Sequence, residues 1–151
     1  MMLTMLSGGG ALAAPERFQC SIEAEAAANI IELRERGQSK DFALAPLPPR
    51  EMVFKHKRGT LQARLAVQMY SIVDDIYAHP DITAPTYLAY RAASCARRNA
   101  GHKVPRNFAE VALPMRGCQR KHGAAPSVAL TECTGEVLDY YQGATHGAQQ
   151  E

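Results

Sequence analysis

The sequence predicts an all-α protein, a compact bundle of about five or six helices that includes antiparallel helical hairpins and is stapled by two disulfides. Three observations carry this. Apolar residues recur at helical rather than strand spacing along most of the chain. The composition is 46% hydrophobic but 7% aromatic and without tryptophan, so the core must rely on Ala, Leu, Ile and Val, which suits closely packed helices. Four cysteines, an even count, follow an apolar leader, the pattern of an oxidising compartment. At 151 residues the chain fits one domain that buries about 70% of the surface its unfolded form exposes.

Residues 1–14 read as a signal peptide. The stretch is apolar and small, and Ala11-Leu12-Ala13 forms an A-x-A cleavage site before Pro15. It lacks a Lys or Arg ahead of its apolar part, so the expected leader is a truncated one whose basic end lies further upstream. No lipobox precedes Cys20, and no other stretch approaches the ~18 apolar residues of a membrane span. A single helical domain is expected over 15–142, with a disordered tail over 143–151.

Within the domain, Phe18, Ile22, Ala26 and Ile30 repeat every four residues beside Ala27 and Ile31 and predict a first helix from Glu16 to Arg36, stopped by Gly37. Arg34 and Arg36 suit the negative end of that helix. Ser39 can cap a short turn through Phe42 and Leu44, after which Pro46, Pro48 and Pro49 demand an extended connection. Leu61, Leu65, Met69, Ile72 and Ile76 trace one stripe, widened by Val73 and Tyr77, and predict a helix from Thr60 to Ala78. Pro80 ends it. Thr83 and Pro85 open the next, through Tyr87, Leu88, Ala92 and Cys95 to Gly101, and the two should form an antiparallel hairpin. Asn107 and Glu110 have the spacing of a capping box before Phe108, Val111 and Ala112, with a kink or restart at Pro114. A last helix begins at Ser127 and aligns Leu130, Cys133, Val137 and Tyr141, with Gly135 as its weak point.

This layout selects the disulfides. Cys118 and Cys133 stand at similar distances on either side of a loop from Gly123 to Pro126, so antiparallel helices bring them together. Cys20 is then left for Cys95. No CxxC or CxxCH occurs, which removes the main support for a thioredoxin-like site, a c-type haem or a zinc knuckle, and no cofactor is expected.

The densest chemistry lies in Asp74-Asp75-Ile76-Tyr77-Ala78-His79-Pro80-Asp81. Asp75 and His79, four apart, share a helix face, and Asp81 can fold back towards them, a set suited to a divalent metal or to hydrolysis. The same residues also read as a solvated helix end, with His79 favoured there by the helix dipole, and no metal site is expected. Glu23 and Glu25, two apart, point to different faces and read as helix-surface acids rather than a catalytic pair. Ser71 and Ser94 lack a nucleophile elbow, and no Walker loop, GxGxxG or HExxH is present.

The net charge of +2 conceals a lopsided distribution. Arg91, Arg97, Arg98, Lys103, Arg106, Arg116, Arg120 and Lys121 are opposed within their segment by Glu110 alone, and Lys55, His56, Lys57 and Arg58 form a second group. On one face these would make a patch for an acidic protein, an anionic glycan or a lipid headgroup. Nucleic acid is not an expected partner, because the segment has little aromatic interleaving for stacking.

The run from Met69 through His79-Pro80 to Cys95 resembles the helix, His-Pro turn, helix and cysteine of small periplasmic immunity proteins that block cell-wall amidases. It covers under a fifth of the chain, and no functional position follows from it. The expectation is a periplasmic or secreted binding protein, an inhibitor, immunity protein or adaptor acting through a basic surface, rather than an enzyme. A hydrolase or metal-dependent enzyme built on Asp74, Asp75, His79 and Asp81 is the second reading, and a structural or stress-related envelope protein the third.

Overall fold

The computed structural model describes residues 14–55 and 60–147, with side chains from 17 to 142 except Phe54. The leader over 1–13, the basic residues His56, Lys57 and Arg58, and the last four residues lie outside the described residues. The regular structure of the described residues is all helical: α1 (Ala14–Glu35), α2 (Lys40–Leu44), α3 (Arg50–Lys55), α4 (Leu61–Ala78), α5 (Ala84–Asn99), a 3-10 turn (Phe108–Glu110), α6 (Ala112–His122) and α7 (Val128–Gly147). Helix α3 occupies part of the segment expected to be an extended connection. The three prolines precede it, and the carbonyl of Pro49 accepts the N–H groups of Met52 and Val53, so they lead into a helical turn rather than exclude one. Helix α7 continues to Gly147, past the expected start of the tail at Gly143.

Helix α1 is the centre of the bundle, packing on both α4 and α5. Its buried face carries Ala26, Ala27, Ile30 and Ile31, but towards the N-terminus it continues through Gln19 and Glu23 rather than Phe18 and Ile22. Phe18 is 60% exposed and Glu23 only 1%. The helix is therefore rotated from the expected stripe, because Cys20 is bonded to Cys95 and Glu23 is drawn between two arginines of α5.

Helices α4 and α5 run antiparallel, as the bonds of Asp75 to Tyr87 and of Gln68 to Arg91 and Arg98 require. They meet through these long side chains, whereas α1 provides the extensive helix packing on each. Thr60 caps α4 by accepting the Ala63 N–H, and Ser39 caps α2 through the Phe42 N–H. Gly37 (φ 76°) and Gly101 (φ 79°) end α1 and α5 in left-handed geometry, with the Gln38 N–H returning to Leu33 and the His102 N–H to Arg97.

Because α1 and α4 run parallel, their C-termini are neighbours. Arg34 serves the carbonyls of the α4 end rather than those of its own helix, donating to Ile76 and His79 at 3.2 Å each and to Ile82 at 3.1 Å. Arg34→Met keeps much of the stem but leaves three carbonyls unserved. It should cost about 1.5–3 kcal/mol, the range for hydrogen bonds from a charged donor, measured as a shift in urea midpoint at constant m-value.

The C-terminal part is a helical hairpin. Cys118 and Cys133 are bonded across α6 and α7 with Cα atoms 5.8 Å apart, and Cys20 and Cys95 join α1 to α5 at 5.7 Å. Both expected pairings are present. Pro114 lies in the first turn of α6, where no intrahelical N–H is needed, and the helix starts just before it. The expected capping box does not form. Asn107 makes no side-chain cap, and the Glu110 carboxylate turns back to the N–H and Nε of Arg106.

Candidate functional site

The sequence-predicted acidic cluster lies at the end of α4, beside a groove of about 370 Å³ whose lining includes Arg50, Tyr70, Asp74, His79, Arg106 and Asn107. Its members face different partners. Asp74 is at the surface, salt-bridged to Lys40 at 2.8 Å and Arg50 at 3.0 Å, while Arg50 also stacks over the Tyr70 ring. Asp75 is buried. Its two oxygens accept the Phe108 backbone N–H and the Tyr87 hydroxyl, both at 3.0 Å. Asp81 is held by Arg116, with Nε to Oδ2 at 2.7 Å and Nη2 to Oδ1 at 3.1 Å, a two-point pair.

His79 packs its ring edge-on against Phe108, which in turn contacts Tyr87 and Tyr90. Its Nδ1 is 3.5 Å from the Arg116 guanidinium, the position of an acceptor facing a cation. The four residues thus serve three structural tasks: tying α2 and α3 to α4, seating the 3-10 turn, and fastening α6 to the His-Pro turn. Among the described residues, no group of three or more His, Cys, Asp or Glu side chains is placed to hold a metal.

The electrostatics of these acids differ in sign. Burial alone would raise the pKa of Asp74, but hydrogen bonds and charge from Lys40 and Arg50 outweigh it and the pKa falls below the ordinary 3.8. Arg116 lowers that of Asp81. Asp75 goes the other way: desolvation raises its pKa above 3.8 in spite of the Phe108 and Tyr87 bonds.

Opposite linkages follow. The stabilisation from Asp81 is complete above pH 3.8 and is lost as the pH falls through its lowered native value, so Asp81→Asn should cost stability near neutrality and progressively less in acid. The native state binds a proton at Asp75 more readily than the unfolded chain does. Lowering the pH through the window above 3.8 should therefore favour the wild type relative to Asp75→Asn. Thermal unfolding of both variants from pH 7 to pH 3 checks the two signs together.

The predicted basic residues do not gather on one face. Arg91 is buried and paired with Glu23 at 2.9 Å, and Arg98, partly exposed, reaches the other Glu23 oxygen at 2.5 Å. Arg97 is spent on Asp139 and the Gly135 carbonyl, Arg106 on Glu110, and Arg116 on Asp81. Lys103, Arg120 and Lys121 are exposed. The bond of Gln142 to His102 places Lys103 beside the C-terminal part of α7, whereas Arg120 and Lys121 end α6 at the other end of that hairpin, about 15 Å along a helix of this length.

A second site was not anticipated. Glu23, read as a surface acid, is the acceptor at the centre of a buried network: Gln19 donates to one oxygen at 3.1 Å, Arg98 to the same oxygen, and Arg91 to the other. Gln68 accepts from Arg91 at 2.9 Å and Arg98 at 3.3 Å. Arg91 Nε is buried without a partner among the described residues. Beside the network is a cavity of about 330 Å³ bounded by Val53, Ala63 and Val67 together with Gln19, Arg64, Gln68 and Arg98. Glu25 remains exposed, as expected.

No protein-family description, curated protein or solved structure matches the chain.

Proposed function

We propose that this chain is an exported, non-catalytic binding protein that recognises an envelope protein through the groove beside His79. The observation that supports it is the state of the groove's charged groups. Arg50 and Arg106 line it and are each held by a carboxylate, Asp74 and Glu110, while Arg116, fixed by Asp81, stands behind His79. Arginines ordered before a partner arrives lose less freedom on docking, and arginine and tyrosine are the side chains that most often dominate interface energetics. The acids that hydrolysis or metal binding would use are engaged in the fold. Exposed Lys103, Arg120 and Lys121 add positive field around the molecule and favour an acidic partner.

Export is supported by the apolar leader and by two disulfides with no free cysteine. No described helix is long and apolar enough to cross a membrane.

The test is crosslinking and affinity capture from envelope extracts, followed by titration of the recovered partner against wild type and Arg106→Glu. A saturable partner bound at least tenfold more weakly by the variant, with unchanged helical circular dichroism, is the expected result. A hydrolytic or divalent-metal-dependent activity abolished by His79→Ala would replace this reading with the enzymatic one.

A further inference from the structure

The Cys20–Cys95 disulfide borders a surface groove of about 400 Å³ between α1 and α5. Arg17, Cys20 and Ser21 line it from α1, and Ala92, Ala96, Asn99 and Ala100 from α5 and its C-cap. The two sulfurs differ in access. Cys20 is partly exposed and lines the groove, whereas Cys95 is 1% exposed and does not. Both are within reach of one amide, the Asn99 Nδ2, which donates to Cys20 Sγ at 3.2 Å and lies 3.9 Å from Cys95 Sγ. Among the lining residues Arg17 alone is charged, and it is exposed.

We propose that Cys20 is a site of reversible S-thiolation by an anionic, low-molecular-weight peptide thiol that docks in this groove. The incoming thiolate attacks Cys20 Sγ and a new S–S bond forms there. The Cys20–Cys95 bond breaks, its electron pair leaves with Cys95 Sγ, and that sulfur takes up a proton. The incoming sulfur is oxidised and Cys95 reduced, so the exchange needs no other oxidant or reductant. In the reverse direction Cys95 attacks the Cys20 sulfur of the adduct, restores the bridge and expels the thiol. The adduct forms on Cys20 in both directions, because exchange depends on which sulfur can be reached and Cys95 is enclosed. Asn99 is placed to follow the charge from Cys20 to the departing Cys95 thiolate. A cation at the groove with no acid in the lining favours an anionic thiol over a neutral one, and about 400 Å³ is within the range of small-ligand sites. None of the lining is shared with the groove beside His79, so failure here would leave the proposed protein-binding role standing.

The test is a time course of the oxidised wild-type protein with reduced glutathione, quenched with iodoacetamide and mapped by non-reducing proteolysis with mass spectrometry. The first adduct should carry glutathione on Cys20 and the alkyl group on Cys95, at a rate that low, non-denaturing urea leaves unchanged. Ala96→Leu, which narrows the groove from an exposed position, should slow the reaction without moving the urea midpoint. Arg17→Glu should slow glutathione about fivefold or more and leave the neutral 2-mercaptoethanol unaffected. Circular dichroism establishes that each variant is folded, and if one is not, the mapping on wild type still decides the matter. Glutathione on Cys95, a rate that climbs with urea as global unfolding does, equal effects of Arg17→Glu on both thiols, or exchange with thioredoxin but not with glutathione would overturn the assignment.

Discussion

Glu23→Ala is expected to destabilise the protein by about 3–5 kcal/mol, the range for removing one partner of a buried ion pair. The Glu23 side chain is 1% exposed and that of Arg91 5%, so solvent cannot take over the lost partner. The substitution removes the acceptor of Arg91, Arg98 and Gln19 at once and leaves Arg91, whose Nε is already without a partner, as a buried uncompensated cation. Glu23→Gln keeps one acceptor oxygen but presents an amide donor to a guanidinium, and should fall between wild type and alanine. Replacing both members with apolar residues of similar size, Glu23→Met with Arg91→Met, should recover most of the loss, because the cost resides in the stranded charge. Urea unfolding of the three variants measures the series, and a Glu23→Ala cost under about 1 kcal/mol would show that the centre is hydrated rather than buried.

Loss of the Cys20–Cys95 bond should be about as severe. It closes a loop with a sequence separation of 75, for which the chain-entropy treatment gives about 4 kcal/mol, against about 3 kcal/mol for the separation of 15 closed by Cys118–Cys133. The difference should widen in practice, since Cys20 and Glu23 fasten the same turn of α1 to α5 and weakening one loosens the other. Cys20→Ser with Cys95→Ser is therefore expected to lower the unfolding temperature more than Cys118→Ser with Cys133→Ser, and to raise amide exchange first in the N-terminal half of α1. Differential scanning calorimetry and hydrogen exchange check the ranking. The reverse order would mean that the C-terminal hairpin limits stability.

The helices were legible where a local signal and a tertiary contact agree. Gly37, Pro80 and Gly101 mark real ends, Thr60 and Ser39 real caps, and cysteine spacing about a short loop gave both disulfides. Near its N-terminus the orientation of α1 departs from the apolar periodicity of Phe18 and Ile22. The series Gln19, Glu23, Ala27 and Ile31 has the same spacing of four and is buried along its whole length, whereas Phe18 and Ile22 lie outside the buried face that Ala26 and Ile30 share. A signal for the ionic centre was present. One acid interrupts that series, and one base interrupts the buried series Tyr87, Arg91 and Cys95, an arrangement that two facing helices satisfy by pairing the interruptions. The acidic cluster was misleading for a related reason. Asp75 lies in the last turn of α4 and His79 caps it, but their preferred partners come from α5, α6 and the 3-10 turn, whose positions no local spacing specifies. Likewise, the basic run is contiguous in sequence and dispersed by the turns between α5 and α6.

The central position of α1 also bears on the order in which the molecule is assembled. Its partners in α4 and α5 lie 42 to 75 residues further along, as the Arg34–Ile76 bond and the Cys20–Cys95 bridge show, so α1, synthesised before both, waits longest for its contacts. The α6–α7 hairpin, by contrast, is closed by neighbours 15 residues apart and can form as soon as it emerges. Oxidation should follow the same sequence in time, with Cys118–Cys133 first and Cys20–Cys95 last. Until that final bond forms, the Ala26, Ile30 and Ile31 face of α1 is open to any passing chaperone.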